Sequence, residues 1–307
     1  MALVGSPSRR IRLRNSIGIG PLLSLPGVAW LCLFFLAPLY VVLAIVFGTT
    51  DPLFRTPIPI WNPLDWRGAQ FSYVLEHIVG SDGIFGPALL RTLVYVLLAS
   101  AGCMAIAFPV AYYVARLAAR RRGLILTLLI APFWISYMMR MLAWVNLLAD
   151  DGLVNKALGL GLFDVHVSWL SGRSVVVVLG LVYGYVPYMI LPLYAGLDRL
   201  PQSTLEAARD LGAGRVSAFV RVVLPMCRPT IVAALLLTCL PMLGDYYTND
   251  LLSASPRTSM VGNLINETVL TPSQTGYAGA FVMLVLVVAL VPMLLYVRSA
   301  RAEGLDS

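Results

Sequence analysis

One acidic side chain and several aromatic ones lie within stretches that are otherwise apolar. Asp245 stands near the end of an apolar run and is followed by Tyr246 and Tyr247. A carboxylate in such a run is energetically costly and is by default a functional candidate. It can supply the counter-charge for a cation, while the rings offer cation–π contacts worth about 0.5–2 kcal/mol each. Further aromatic side chains that could supply such faces are Trp134, Tyr137, Trp144, Tyr183, Tyr185 and Tyr188.

Arg140 supports a competing interpretation of the same carboxylate. It lies in another apolar run and could pair with Asp245 as a structural ion pair or a gate. Alternatively, Arg140 could extend its charged end to the membrane surface. Aromatic side chains near span ends are also more often interface anchors than parts of a ligand site. The sequence leaves these alternatives open.

The residues needed for most enzyme chemistry are missing. A phosphate-binding loop requires a lysine after its glycines, and the single lysine, Lys156, lies within Leu-Val-Asn-Lys-Ala. The two histidines, His77 and His166, are far apart, and the four cysteines have no spacing typical of a metal site. We therefore expect no catalytic residue, metal or cofactor on this chain. If ATP and Mg²⁺ drive its activity, another chain binds them.

The candidate residues have to be positioned by membrane spans. Of the 307 residues, 59% are hydrophobic and 12% are charged, whereas about a quarter of the residues in a soluble globular protein are charged. An apolar run of about 20 residues is long enough to cross a bilayer as a helix. We predict one all-α, polytopic membrane domain over residues 21–300, with six spans at about 25–48, 88–115, 124–148, 174–196, 229–249 and 277–297.

The arginines indicate the orientation of these spans. Six spans place both chain ends on one side, and basic residues concentrate on the cytoplasmic side of a membrane. Residues 1–20, 116–122, 197–228 and the C-terminal end together hold fifteen of the 22 basic residues. We therefore predict cytoplasmic tails over residues 1–20 and 301–307. This asymmetry accounts for the net charge of +7, so the charge does not indicate a nucleic-acid partner.

A polar insert separates the fourth and fifth predicted spans. Its Glu-Ala-Ala motif at 206–208 begins a stretch of good helix formers, and Gly212 and Gly214 then permit a tight turn. A second helical run is predicted over residues 215–224. Pro225 is predicted to end that run because proline cannot continue a helix.

This insert resembles the EAA loop of the membrane subunits of binding-protein-dependent ABC importers. In that family the loop, which corresponds to residues 197–228 of this chain, docks into a groove on a separate ATPase subunit. The spacing from Glu-Ala-Ala to a glycine, and from there to Leu-Pro, agrees with the family pattern. The resemblance implies coupling roles for Glu206, Ala207, Ala208, Asp210, Gly212, Leu224 and Pro225.

Other segments resemble the permease subunits of spermidine/putrescine-type systems. They include Pro-Phe-Trp-Ile-Ser-Tyr-Met-Met-Arg at 132–140, the tyrosine-rich stretch at 183–194 and Gly-Asp-Tyr at 244–246. The resemblance runs from about residue 90 to the C-terminus. It implies the type I ABC importer transmembrane fold, also called MetI-like, and a polyamine substrate. The expected substrate pathway then consists of Asp245, Tyr246, Tyr247, Trp134, Tyr137, Arg140, Trp144 and Tyr185.

The same resemblance implies partners and a location. The expected partners are a second homologous permease, two ATPase subunits that carry ATP and Mg²⁺, and a periplasmic or lipid-anchored substrate-binding protein. The expected location is the bacterial inner membrane. Another solute, such as an opine, an amino-acid derivative, sulfate or iron(III), would fit the same architecture. A stand-alone secondary transporter would need no ATPase, and a membrane-embedded enzyme would need a cluster of reactive side chains that the sequence does not show.

Overall fold

The computed structural model describes residues 20–79, 83–116, 118, 120–159 and 167–305. Residues 1–19 of the predicted N-terminal tail lie outside the described residues, as do residues 306–307. The described chain is helical except for one two-stranded hairpin and the connecting loops. The predicted C-terminal tail is not separate from the sixth span, because the helix Thr275–Leu305 continues into it.

The helices and strands follow one another along the chain, with short π and 3₁₀ turns between some of them. In chain order they are Gly20–Leu31, Cys32–Leu36 (π), Ala37–Val46, strands Thr49–Thr50 and Pro57–Ile58, Pro63–Asp65 (3₁₀), Ala69–Val79, Phe85–Arg116, Arg122–Ile130, Ala131–Trp134 (3₁₀), Tyr137–Leu148, Leu153–Gly159, Ser174–Asp198, Gln202–Asp210, Arg215–Ala218, Phe219–Val223 (π), Leu224–Met226, Arg228–Leu243, Tyr247–Leu252, Val261–Leu270 and Thr275–Leu305.

Four helical segments in the described part of the chain are long and apolar enough to cross a membrane. We name them span 1 (Ser24–Val46), span 2 (Phe85–Arg116), span 4 (Ser174–Asp198) and span 6 (Thr275–Arg298). Two further pairs of helices meet the same test together but are sharply bent. When each bent pair counts as one span, the total is six, which agrees with the predicted number.

Span 3 is the first bent pair, Arg122–Trp134 with Tyr137–Gly159, whose two arms meet at 86°. We predicted a membrane span at about residues 124–148. The α-helix instead tightens into a 3₁₀ turn that contains Pro132, and the backbone is extended at Ile135 and Ser136. Proline has no N–H for the helical ladder, and its ring crowds the preceding turn, which accounts for the break.

Span 5 is the second bent pair, Val216–Met226 with Arg228–Leu243, which meet at 66°. The prediction that Pro225 ends the first arm is wrong, because the helix continues through Leu224–Met226 and turns at Cys227. The π turn Phe219–Val223 lies directly before the proline. A wider turn gives the proline ring room and needs no N–H at that position, so the helix can pass through it.

Span 5 also ends earlier than the predicted limit at residue 249. The helix stops at Leu243, and three non-helical residues precede the short helix Tyr247–Leu252. Helix Val261–Leu270 begins against this break. A Cβ atom added to Gly262 would lie 2.7 Å from the Gly244 carbonyl oxygen and 2.8 Å from that of Asp245. Glycine at 262 therefore allows direct contact between the helix Val261–Leu270 and the non-helical peptide groups of the break.

Spans 2, 4 and 5 form the main core. Small side chains recur every four residues on span 2, at Ala99, Cys103, Ala107 and Ala111, and all of them are fully buried. This spacing produces a narrow helical face that permits close helix packing. Larger side chains of the other two spans pack against it, among them Leu181, Met189, Leu193 and Met242.

A second layer covers the end of span 1 and the starts of spans 2 and 6. If the chain crosses the membrane six times, these ends lie on the side opposite the residue 197–228 insert. Helix Ala69–Val79 packs there through Val74, beside Val46 of span 1 and Phe281 of span 6. The hairpin between strands Thr49–Thr50 and Pro57–Ile58 lies in the same layer. This layer forms a platform that is separate from the main core.

Candidate functional site

Asp245 lies in the break between span 5 and the helix Tyr247–Leu252, and its side chain is only 6% exposed. The position of the carboxylate follows from the local sequence. Its Oδ1 accepts a hydrogen bond of 3.0 Å from the Thr248 backbone N–H, three residues further on. An acidic side chain that accepts from a first-turn N–H stabilises the start of a helix. Asp245 therefore initiates the short helix as well as carrying a charge.

The other carboxylate oxygen of Asp245 connects two broken spans. Its Oδ2 accepts hydrogen bonds of 2.7 Å from the Tyr137 hydroxyl and 2.7 Å from the Thr248 hydroxyl. Those two hydroxyls also contact each other. Tyr137 is the first helical residue after the bend of span 3. The carboxylate thus joins the bend of span 3 to the break after span 5, and three donors compensate part of the cost of its burial.

Two glycines of span 4 make room for this network. A Cβ atom added to Gly184 would lie 2.7 Å from Cε2 of the Tyr137 ring. One added to Gly180 would lie 2.7 Å from the Thr248 methyl group and would also collide with Leu252 Cδ1. Because the glycines stand four residues apart, they face the same way. Span 4 therefore forms a smooth wall against which Tyr137 and the short helix pack.

Arg140 is buried in the same region, with 6% of its surface exposed. Its guanidinium carbon lies 4.1 Å from the centre of the Phe133 ring and 5.4 Å from that of Tyr137. No ion pair joins Arg140 to Asp245 within the described part of the chain. Its Nε and Nη1 atoms are buried without a hydrogen-bond partner among the described residues. In this conformation Tyr137 contacts Asp245 through its hydroxyl and lies near Arg140 through its ring, and no direct pair of the two charges is formed.

The structure brings together only some of the aromatic candidates. The centre of the Tyr185 ring lies 5.9 Å from that of Tyr137 and 5.9 Å from that of Tyr188, so these three tyrosines line one side of the network. Tyr246 and Tyr247 stack on each other with 4.1 Å between ring centres. Tyr246 lies in the break that contains Asp245, and Tyr247 begins the helix after it.

Two tryptophan candidates do not reach the carboxylate. Trp134 is 82% exposed at the bend of span 3. Trp144 packs edge-to-face against Tyr183, with 5.3 Å between ring centres, in an apolar cluster that also includes Tyr137 and Leu252. Neither is among the residues that contact Asp245.

Sequence reasoning missed Thr248 and Asn263. Thr248 stands three residues after Asp245, which is the spacing at which an acidic side chain accepts from a backbone N–H at the start of a helix. This spacing could have identified Thr248 as a partner of Asp245. Asn263 donates from Nδ2 to the Tyr246 carbonyl oxygen at 2.9 Å and to the carboxylate of Asp250, while its Oδ1 accepts from the Met260 N–H at 2.9 Å. Asn263 therefore fixes the backbone of the break from the other side. No local spacing indicated this long-range role.

The predicted coupling insert forms a second candidate surface. Helix Gln202–Asp210 ends in a Schellman-type turn, in which the Ala213 N–H bonds to the Ala208 carbonyl at 3.0 Å and the Gly212 N–H to that of Arg209 at 2.8 Å. Gly212 has φ +85°, so the predicted glycine turn is confirmed. Glu206 and Ala207 are exposed on the helix, and Ala208 is half-buried.

Apolar side chains on this insert have no cover within the described structure. Leu211 is 89% exposed at the turn after helix Gln202–Asp210, and Val216 is 77% exposed in the next helix, Arg215–Ala218, where the first arm of span 5 begins. We call Glu206, Leu211 and Val216, with the turn between them, the insert surface. Apolar side chains that are exposed together among charged residues are typical of a protein interface.

The insert is attached firmly to span 2. Arg116, the last residue of that span, donates from Nη2 to the Leu200 carbonyl oxygen at 2.9 Å. The ring of Phe219 packs edge-to-face against Phe108 and Tyr112 of span 2, with centre distances of 5.5 and 5.7 Å. A force applied to the insert surface therefore reaches span 2 through a hydrogen bond and two ring contacts.

Comparison with known proteins adds a family and a fold. A family model described as "Binding-protein-dependent transport system inner membrane component" matches residues 21–303. The chain is 31% identical over 276 residues to the spermidine/putrescine transport system permease protein PotB of Salmonella typhimurium strain SL1344, which covers 89% of this chain and 91% of that protein. It is 33% identical over 242 residues to PotB of Haemophilus influenzae. That alignment covers 78% of this chain and 79% of the relative.

Two solved structures have similar folds. A chain of the bacterial alginate ABC transporter, in complex with an alginate-bound periplasmic protein, aligns with a TM-score of 0.68 at 19% identity and covers 92% of this chain and 93% of that chain. A chain of the MetNI methionine ABC transporter aligns with a TM-score of 0.53 at 15% identity and covers 71% of this chain and 95% of that one. The fold is therefore that of an ABC importer permease.

Proposed function

The chain belongs to the family of inner membrane components of binding-protein-dependent transport systems, and we propose that it is a permease subunit of an ATP-driven polyamine importer. The observation that carries the substrate class is the buried Asp245 carboxylate beside the tyrosines of spans 3 and 4. A polyamine has several ammonium groups and only donors to offer. A carboxylate with aromatic faces around it is complementary to such a cation. Relatives named as spermidine/putrescine permeases support the same class.

The network suggests how a cation would be accommodated. Asp245 accepts hydrogen bonds from Tyr137 and Thr248 in this conformation, so an arriving ammonium group competes with these donors for the carboxylate. The ammonium group would form an ion pair with the carboxylate, and the rings of Tyr137 and Tyr185 would add cation–π attraction. Because Tyr137 belongs to span 3 and Asp245 to the break after span 5, breaking their bond loosens one span from the other. Substrate binding would thereby be linked to movement of the spans.

Coupling to ATP would use the insert surface. The exposed helix Gln202–Asp210 and the turn after it carry Glu206, Ala207, Ala208, Asp210 and Gly212. The other two predicted coupling residues, Leu224 and Pro225, lie in the first arm of span 5. We propose that an ATPase subunit, which binds ATP and Mg²⁺, covers this surface and moves span 2 through Arg116 and Phe219. The insert and both chain ends then face the cytoplasm.

The remaining partners follow from the same proposal. A second homologous permease would complete the pathway, so that two ATPase copies are bound. A periplasmic or lipid-anchored protein would deliver the solute on the opposite side, where helix Ala69–Val79 and helix Val261–Leu270 lie. The substrate then needs only a weak transit site in the permease, since the binding protein provides most of the selectivity.

The test is uptake of radiolabelled spermidine and putrescine into vesicles that contain this chain with its co-purified partners. We expect ATP-dependent uptake by the wild type. Glu206→Lys should abolish uptake by reversing the charge of the insert surface, and Gln202→Lys, one turn earlier on the same exposed helix, is the matched control. Uptake without any ATPase subunit would contradict the proposal, and ATP hydrolysis without polyamine uptake would reject the substrate class.

A second variant tests the role of Asp245. Asp245→Asn keeps the shape of the side chain but removes its charge, so we expect polyamine uptake to fall at least about tenfold while basal ATP hydrolysis is largely retained. Equal loss of uptake and hydrolysis would indicate that Asp245 is only structural. Undiminished uptake would show that the cation passes elsewhere.

A further inference from the structure

A cavity of about 220 Å³ lies in the outer platform, away from Asp245. It is bounded by helix Ala69–Val79, helix Val261–Leu270 and the start of span 6. We propose that this cavity binds a primary ammonium group of a polyamine that the binding protein has released, before the cation enters the pathway between the spans. The proposal rests on the proposed function for the class of ligand, but the cavity and its location do not depend on it.

Apart from the side-chain amide of Gln274 and the hydroxyls of Tyr73 and Tyr277, the polar side chains of the cavity mainly offer hydrogen-bond acceptors. Thr271 donates its hydroxyl to the Glu267 carbonyl oxygen at 2.8 Å, and Thr268 donates to the Leu264 carbonyl oxygen at 2.6 Å. The hydroxyl protons of both threonines are therefore used within their own helix, and only oxygen lone pairs remain for a ligand. The Glu267 carboxylate, exposed in the same wall, is an acceptor only.

The histidine of the cavity also presents an acceptor. His77 Nδ1 lies 2.8 Å from the Tyr73 carbonyl oxygen, which can only accept. When the ring is neutral, this contact places its proton on Nδ1 and leaves a lone pair on Nε2. An ammonium group has three donors and no acceptor, so it complements the Glu267 carboxylate and these lone pairs.

Aromatic rings form the opposite wall. The ring of Tyr73 stacks on His77 with 3.9 Å between centres and meets Tyr277 at 4.5 Å. A cation beside these rings gains cation–π attraction in addition to the carboxylate. Carboxylate, lone pairs and ring faces are thus brought to one cavity from three separate segments of the chain.

The arginine of the adjoining cavity does not neutralise Glu267. Arg91 lines that cavity of about 310 Å³, which shares Glu267 as a wall. Its Nη1 atom donates to the carbonyl oxygens of Pro256 at 2.9 Å and Ser259 at 3.1 Å. Among the described residues, Arg91 and Glu267 form no ion pair. The charge of Glu267 therefore remains available to an external cation.

The test is equilibrium binding of radiolabelled putrescine and spermidine to the intact transporter complex in lipid nanodiscs, without ATP and without the binding protein. Measurements are made in the Asp245→Asn background to remove the transit site. Glu267→Gln should weaken binding about tenfold. Glu76→Gln is the matched control, because Glu76 is exposed on helix Ala69–Val79 but does not line the cavity.

A ring variant and a neutral ligand sharpen this test. Tyr277→Leu should weaken binding about threefold, whereas Tyr277→Phe, which keeps the ring face, should bind almost like the wild type. The neutral analogue 1,4-butanediol should not compete with putrescine. The melting temperature of each complex shows whether a variant is folded.

The outcomes separate this inference from the proposed function. If Asp245→Asn alone removes all binding, or if Glu267→Gln binds as tightly as Glu76→Gln, the outer site does not exist, although the transit site can stand. If Asp245→Asn transports normally, the proposed role of Asp245 fails while the outer site can still bind. If Glu267→Gln weakens only capture of the substrate-binding protein, the cavity receives a protein side chain and the inference is wrong.

Discussion

Asp245 and Glu206 are both carboxylates, but the molecule surrounds them in opposite ways. Asp245 is buried and accepts three hydrogen bonds from the same chain. Glu206 is exposed on a short helix, close to the uncovered apolar side chains of the insert surface. The carboxylate of the first region is complete within one chain, since each of its oxygens has a donor. The second region exposes apolar area that water does not stabilise, so it requires another protein to be complete.

The first prediction removes the apolar character of the insert surface. Leu211→Asp combined with Val216→Asp should reduce co-purification of the ATPase subunit more than tenfold. The melting temperature of this chain should not change, because neither side chain packs inside it. The control is Leu53→Asp, an equally exposed leucine in the outer hairpin. Retention of the ATPase would place the interface elsewhere and remove the contrast between the two regions.

The second prediction disturbs the complete region by adding volume. Gly184→Val should lower the free energy of unfolding by about 3 kcal/mol, since the new side chain would occupy the position of the Tyr137 ring. Thermal unfolding in detergent measures this loss. Gly123→Ala is the control, because no atom lies within 4 Å of its added Cβ. If Gly184→Val melts like the control, Tyr137 is not held against span 4.

The third prediction removes one donor and keeps the ring. Tyr137→Phe deletes the hydroxyl that bonds to Asp245 at 2.7 Å. A hydrogen bond to a charged group contributes about 2 kcal/mol, so the melting temperature should fall measurably. Tyr188→Phe changes a tyrosine of the same cluster that is exposed and should have little effect. Equal effects of both variants would mean that the hydroxyl of Tyr137 has no special role.

The smallest effect is expected at the turn of the insert surface. Gly212→Ala should cost about 1 kcal/mol, because φ +85° is unfavourable for a residue with a Cβ atom. Gly214→Ala, at a glycine without positive φ and with nothing within 4 Å of its Cβ, should be close to neutral. Limited proteolysis of the insert compares the two variants. A more labile Gly214→Ala would show that the second glycine makes the turn.

The number of spans and the main carboxylate could be predicted from the sequence, because apolar length and an isolated charge are local properties. The bends could not. Pro132 accompanies a break, whereas Pro109 and Pro187 lie inside uninterrupted helices. Each proline lies in a similar apolar sequence, but neighbouring groups decide whether the freed backbone carbonyls are satisfied within the helix.

The partners of Asp245 show the same limit. The sequence identified Tyr137, Arg140 and Asp245 as candidates but could not order them in space. Only the packing of spans 3, 4 and 5 places the Tyr137 hydroxyl on Asp245 and the Tyr137 ring near Arg140. Thr248 could have been recognised from its capping position, whereas Asn263 required the tertiary structure.

The two bent spans also bear on how the chain enters the membrane during synthesis. The first α-helical piece of span 3, Arg122–Ile130, has nine residues and is about 14 Å long at 1.5 Å per residue. The hydrocarbon core is about 30 Å thick, so this piece cannot cross it alone. The break itself, at Pro132, Ile135 and Ser136, is exposed on the surface of this chain, and unpaired peptide groups are not tolerated in hydrocarbon. During synthesis the first arm of span 3 therefore has to enter together with the second arm, Tyr137–Gly159, and the break between them must be kept away from lipid.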